Sequence, residues 1–178
     1  LGKEHLYVWE KDESKYHENE AAEILCGLCR GDYMERSGVK EGKIELTSTV
    51  RGLLKIDTEL LDRINGLGEM MIASRHNNTP VEPGDKLCGT RIIPLVIEKE
   101  KMEEAVEVCG GKKIFTILPY QNKKVGIVTT GSEVYHGRIQ DAFGPVLKEK
   151  VKEFGGEVMG QTITDDDPDH TRKAIEEF

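Results

Sequence analysis

The sequence predicts two architectures in one chain: a β-rich α+β half over residues 1–122, then a parallel α/β half over 123–178. Before residue 123, short β-like runs are separated by Gly, Asn and Pro turns. After it, the continuous apolar run Val125-Gly126-Ile127-Val128 opens a strand–helix–strand–helix order, the grammar of a parallel sheet. With 37% hydrophobic and 33% charged residues, the 178-residue chain can bury a core and is not a disordered segment.

In the first half a helix is expected from His17 to Arg30, where Ala21, Leu25 and Leu28 repeat at helical spacing. The runs Lys43–Val50, Gly52–Ile56, Glu69–Ser74 and Lys86–Ile97 read as strands. Between them Leu60, Leu61 and Ile64 give a short amphipathic helix capped by Asp57 or Thr58. The stretches 76–80 and 82–85 are rich in Asn, Pro, Gly and Asp, and read as turns. Strands so short and closely spaced suggest a small barrel or a folded β-ribbon. A helix carrying Met102, Ala105, Val106 and Cys109 on one face should stop at Gly110-Gly111, and Lys113–Tyr120 should be extended.

In the second half the strand from Lys124 should be buried and followed by a polar loop, Thr129 to Asp141. Leu147, Val151 and Phe154 mark the sheet-facing side of a helix that starts near Pro145 and ends at Gly155-Gly156. Glu157–Thr164 is the second strand, and Pro168 opens a third helix. Two strands and two helices in about 55 residues cannot cover both faces of a doubly wound sheet. The next strand is therefore expected beyond Phe178, and the chain, which opens on Leu1, reads as an internal piece. The open edge should be covered by the first half or by a second copy, and a homo-oligomer is expected.

The net charge of −8 repels phosphate backbones, and no Lys/Arg cluster offsets it, so nucleic acid is excluded as a partner class. The longest apolar run, residues 92–97, is far shorter than the roughly 20 residues that span a bilayer. Cys26 and Cys29 form a CxxC inside the first helix, but no second CxxC or His pair accompanies it. Together with Cys88 and Cys109 they read as reduced, buried or half-buried thiols of a cytoplasmic protein.

Chemistry concentrates at the carboxyl ends of the two parallel strands, where open α/β sheets bind ligands. Thr129-Thr130-Gly131-Ser132-Glu133 offers three hydroxyls and free backbone N–H groups, the donors a phosphate or polar heterocycle needs; an ordinary strand-to-helix turn is the plain alternative. Asp165-Asp166-Asp167-Pro168-Asp169 should face that turn and hold a hydrated Mg²⁺, beyond the one or two Asp that helix capping explains. Arg138 is the cation of the loop and a candidate phosphate contact.

The run Lys124 to Val134, with its T-G-S-E turn, resembles the opening strand and turn of the molybdopterin-binding domain shared by MoeA- and MogA-type proteins. The likeness continues through Gly137–Asp141 and the following helix to Thr164-Asp165-Asp166-Asp167-Pro168, similar to the family's strand-end D-D-P. Within the family it points to a MoeA-like subgroup, whose small β-rich accessory domains the first half resembles, including residues Leu1 to Val8. The resemblance implies an incomplete molybdopterin-binding fold in 123–178, binding of the tricyclic pterin phosphate, and insertion of molybdate or tungstate assisted by Mg²⁺. It places Thr129, Thr130, Gly131, Ser132, Glu133 and Arg138 on the ligand, Asp166 in catalysis, and Asp166 and Asp167 on the metal. The family's second Gly-Gly motif is absent from this sequence, so the stretch alone is expected to be inactive as a molybdotransferase. Two other readings follow from the same resemblance: a non-catalytic molybdopterin carrier or sensor, and a CinA-like domain related to nucleotide hydrolysis.

Overall fold

A computed structural model describes residues 12–178 of the chain; the Leu1–Val8 likeness lies outside the described residues. The chain forms two compact units, one running to Pro119 and one spanning Tyr120–Phe178.

The first unit is mixed α and β. Its elements are β1 (Lys15–His17), α1 (Glu18–Cys29), β2 (Met34–Arg36), β3 (Ile44–Ser48), β4 (Gly52–Ile56) and α2 (Thr58–Gly66), followed by β5 (Met70–Ser74), β6 (Thr79–Val81), β7 (Lys86–Ile92), β8 (Val96–Glu98), α3 (Lys99–Cys109) and β9 (Phe115–Pro119). The strands do not form the expected barrel or ribbon. They make three antiparallel sheets among the described residues, ordered β2-β3-β7-β5, β6-β4-β9 and β1-β8.

Local chemistry explains the element ends. His17 Nδ1 accepts the Asn19 N–H while Glu20 answers to the His17 N–H, a reciprocal cap that starts α1. Asp57 accepts the Leu60 N–H and starts α2. Gly110, at φ 57°, takes the left-handed conformation that closes α3. The expected Lys86–Ile97 strand is two strands, because residues 93–95 turn around Pro94, which has no N–H to give a ladder. The expected turn at 76–80 ends in a strand instead: Thr79–Val81 pairs with β4 as an edge strand, where Pro80 is tolerated. Leu25, Ile44, Leu46, Leu54, Ile64, Met102 and Phe115 fill the core, with the buried free thiols Cys26, Cys29, Cys88 and Cys109 beside them. Burial pushes the Cys26 and Cys109 thiols up, and a thiol–thiol hydrogen bond with Cys88, then burial, does the same to Cys29.

The second unit holds β10 (Lys124–Thr130), α4 (Ser132–Tyr135), α5 (Phe143–Glu153), β11 (Glu157–Thr164) and α6 (Pro168–Glu176). β10 and β11 run parallel, Val125 opposite Val158 and Thr130 opposite Thr164, with a register shift after Val125. Gly126 and Gly160 face each other across this pair, and the Phe178 ring lies over both; a methyl at Gly126 would overlap the ring.

Burial here departs from expectation. Of the apolar run, only Ile127 is buried. Leu147 is 44% and Phe154 46% exposed, and Val151 is half-buried, so the expected apolar face of α5 is not sealed against the sheet. Among the described residues these two strands pair only with each other, and so narrow a sheet offers little surface to cover a whole helix face. Gly144 is the buried residue of α5, and Phe154 leans edge-on against the Tyr120 ring at 5.5 Å.

Candidate functional site

Parallel pairing brings the ends of β10 and β11 to one edge, and the loops that follow them meet there. The Gly131 N–H donates to the Thr164 carbonyl (3.1 Å), joining the two strand ends. Gly131 has φ 150°, a backbone conformation that side chains rarely adopt, and it turns the chain into α4. The Ser132 N–H and O–H both donate to Asp166 Oδ2, at 3.1 and 2.9 Å. The turn donor that a ligand anion would use is thus already satisfied by a carboxylate of the chain itself.

The three hydroxyls of the turn diverge rather than gather. Successive strand residues point to opposite faces. Thr129 accepts from Gln161 Nε2 (2.9 Å), which also donates to Asp141 Oδ2 (2.6 Å). Asp141 in turn accepts the Phe143 and Gly144 N–H groups at the start of α5. The Gly144 bond first, then Gln161, holds the Asp141 carboxyl below the usual range. A methyl at Gly144 would overlap Asp141 Oδ2 and the Gln161 amide, so the network requires a glycine there. Thr130 instead lines an open cleft of about 600 Å³ beside α6, with Asp166, Thr171, Arg172, Ile175 and Glu176.

The acidic run divides its work. Asp167 caps α6, accepting the Asp169 N–H at 2.7 Å and the His170 N–H at 3.4 Å. Asp165 bonds His170 Nδ1 at 2.8 Å. Among the described residues no three His, Cys, Asp or Glu groups converge to hold a metal ion, so these residues alone do not form a closed cation site. Arg138 and Glu133 are exposed and lie outside the cleft, and the cation on its wall is Arg172. Arg172 pairs with Asp169 at 3.2 Å and Glu176 at 3.9 Å.

Gln161, Thr171, Arg172, Ile175 and Glu176 were not legible as site residues. Gln161 had one signal, an amide in a strand facing Ile127; the α6 residues read as an ordinary helix surface.

The hydrogen bond with His170 lowers the Asp165 pKa, and the same bond raises that of His170. The raised His170 stabilises below its unfolded value, about 6.5, and loses that as pH rises through its folded pKa. The lowered Asp165 stabilises above about 3.9 and loses that as pH falls through its folded pKa. The pair's contribution is present between roughly pH 4 and 6.5, and it is small because the His170 side chain is half exposed to water. In Asp165→Asn the His170 titration, followed by its ring-proton NMR signal, should move down toward the ordinary histidine value; an unmoved midpoint would disprove the pairing.

Residues 126–178 match the family model described as a probable molybdopterin binding domain. The resemblance read from the strand, turn and D-D-P segment therefore holds for that stretch. A 45-residue stretch is 47% identical to a CinA-like protein of Mycobacterium avium (strain 104) and, at the same identity, to one of Mycolicibacterium paratuberculosis. It covers 25% of this chain and 10% of each relative. Among solved structures, the molybdopterin biosynthesis moeA protein from Pyrococcus horikoshii aligns over 90% of this chain and 63% of its own, at 12% identity and a TM-score of 0.27. That score is too low to support an argument about fold.

Proposed function

We propose that residues 123–178 form the first part of a molybdopterin-binding domain, preceded by a β-rich accessory region over 1–122, in a protein of molybdenum-cofactor biosynthesis. One observation carries this: the Thr130–Glu133 turn and Asp166, from two separate loops, meet at the carboxyl edge of parallel strands, within the stretch that matches the family. Thr129, Thr130, Gly131, Ser132, Glu133 and Arg138 are assigned to the ligand side, and Asp166 to catalysis. In this reading the protein is a transferase that inserts molybdate or tungstate. Asp166 and Asp167 would hold Mg²⁺ together with ligand oxygens, since each commits one carboxylate oxygen to neighbouring donors. When bound, the cation would neutralise oxyanion charge.

Isothermal titration of molybdopterin tests the proposal. Ser132→Ala should weaken binding by about 1 kcal/mol, one hydrogen bond. In the full-length protein, Asp166→Ala should leave binding largely intact or tighten it, because it frees the Ser132 donors, while metal insertion is lost. Equal weakening in both variants would reduce Asp166 to a structural cap.

The match to CinA-like proteins favours a second reading, a domain related to nucleotide hydrolysis; binding of AMP but not molybdopterin would establish it. A carrier or sensor would bind molybdopterin and show no metal insertion. No described helix is long and apolar enough to cross a membrane. The free, buried cysteines support a cytoplasmic location, and the exposed Phe143, Val146 and Leu147 support a homo-oligomer.

A further inference from the structure

The proposed function makes no use of the groove between α1 and α3 of the first unit. It encloses about 370 Å³ and is lined by Tyr16 and Ile24 on one side and by Met102, Glu103, Val106 and Glu107 of α3 on the other. Three choices along its walls are unfavourable for the chain by itself. Val106 leaves its aliphatic side chain 46% exposed. Glu103 and Glu107 stand one helical turn apart, a like-charge pair that destabilises a helix. Gly27, in the interior of α1 and one turn beyond Ile24 on the same side, weakens that helix, and nothing lies within 4 Å of where its Cβ would be. No close packing inside the chain therefore calls for a glycine there. Departures from local preference that gather along one groove mark a surface shaped for an outside contact.

Charge narrows the kind of contact. The neighbouring lysines are engaged elsewhere: Lys99 lies over the Tyr16 ring at 5.1 Å, Lys101 pairs with Glu69 at 2.8 Å, and Lys113 donates to the Gly27 carbonyl. Among the described residues Glu103 and Glu107 have no ion pair and no side-chain hydrogen bond. The groove thus joins an apolar floor to an acidic rim, on a chain of net charge −8 that repels anionic surfaces. A groove of this kind between two helices is the receptor half of helix-in-groove recognition. We propose that it docks an amphipathic helix of a partner protein, with apolar residues at i, i+4 and i+7 set against Ile24, Met102 and Val106. Lys or Arg residues flanking those anchors pair with Glu103 and Glu107, and the bare Gly27 lets the incoming helix approach α1 closely. The proposal is independent of the molybdopterin reading, because every residue it uses belongs to the first unit.

The test uses the full chain and two labelled synthetic helices with the same leucines at i, i+4 and i+7, one flanked by lysines and one by glutamates. Fluorescence anisotropy should show saturable binding of the lysine helix and none of the glutamate helix, and NMR should place the contact at the Ile24 and Val106 methyl signals. Reversing both rim charges, Glu103→Lys with Glu107→Lys, should weaken the lysine helix by more than about ten-fold and admit the glutamate helix. Gly27→Leu raises the helix propensity of α1, so the thermal midpoint should hold while the lysine helix loses about ten-fold in affinity. Unchanged affinity in Gly27→Leu, or equal binding of the lysine helix to the charge-reversed chain, would overturn the proposal. Self-association of the chain that Gly27→Leu abolishes would give the groove to a second copy instead. Binding to phosphatidylcholine vesicles that the same variant abolishes would give it to a membrane surface. Either result also overturns the partner helix.

Discussion

Replacing Phe115 by alanine should lower the stability of the first unit by about 3–5 kcal/mol. Phe115 is fully buried on β9, opposite Ile56 of β4, and ranks among the largest enclosed side chains of the core. The loss combines transferred apolar surface with a cavity that the surroundings cannot close. Collapse is hindered on the backbone side, since Gly31 already approaches the Phe115 carbonyl so closely that a methyl there would overlap it. For a unit of this size the thermal midpoint should fall by roughly 10–20 °C. Hydrogen exchange of the β4 and β9 amides in increasing urea measures the effect where it arises. A loss below about 1 kcal/mol would mean that the core repacks around the gap and is softer than its burial indicates.

The second large effect is expected in the other unit, from Gly144→Val. The branched side chain would occupy the space of the Asp141 carboxylate and the Gln161 amide. Overpacking of this kind costs about 1–3 kcal/mol, before the lost hydrogen bonds are counted. The Thr129–Gln161–Asp141 chain should break, and with it the bonds to the Phe143 and Gly144 N–H groups. Asp141, whose lowered pKa stabilises the unit above its unfolded value and is lost as pH falls through the folded one, should then titrate like an ordinary aspartate. A carboxyl-carbon NMR titration would show this directly. An unchanged Asp141 midpoint in the variant would mean that the network does not depend on the glycine.

These results also show what a linear chain reveals. Helix starts and stops were legible because the groups that decide them are neighbours: Asp57 acts on Leu60, and Gly110 on its own helix. The parallel pairing of β10 and β11 was legible from the run Val125–Val128 and the helix that must cross between the strands. The three-residue strands β2 and β6 were not, because their pairing is set by distant partners and no periodicity fits in so short a length. At the candidate site, the meeting of the Ser132 turn with the acidic run was foreseeable from sheet geometry. The diversion of Thr129 to Gln161 was not, since alternation along a strand separates Thr129 from Thr130 while sequence proximity suggests that they act together. The burial of Leu147 and Phe154 was overstated for a similar reason: periodicity gives a helix an apolar side, but not a surface wide enough to receive it.

The glycine pair beneath Phe178 has a mechanical consequence. The Phe178 N–H bonds the Ile175 carbonyl, so the ring is tied to the last turn of α6 and rests on Gly126 and Gly160 as a spacer of fixed thickness. That thickness sets how far the helix stands off the sheet, and the helix carries Thr171, Arg172, Ile175 and Glu176. The gauge of the cleft is therefore set at a point outside the cleft's own lining. A side chain at either glycine would shim α6 outward, and a smaller residue in place of Phe178 would let it settle.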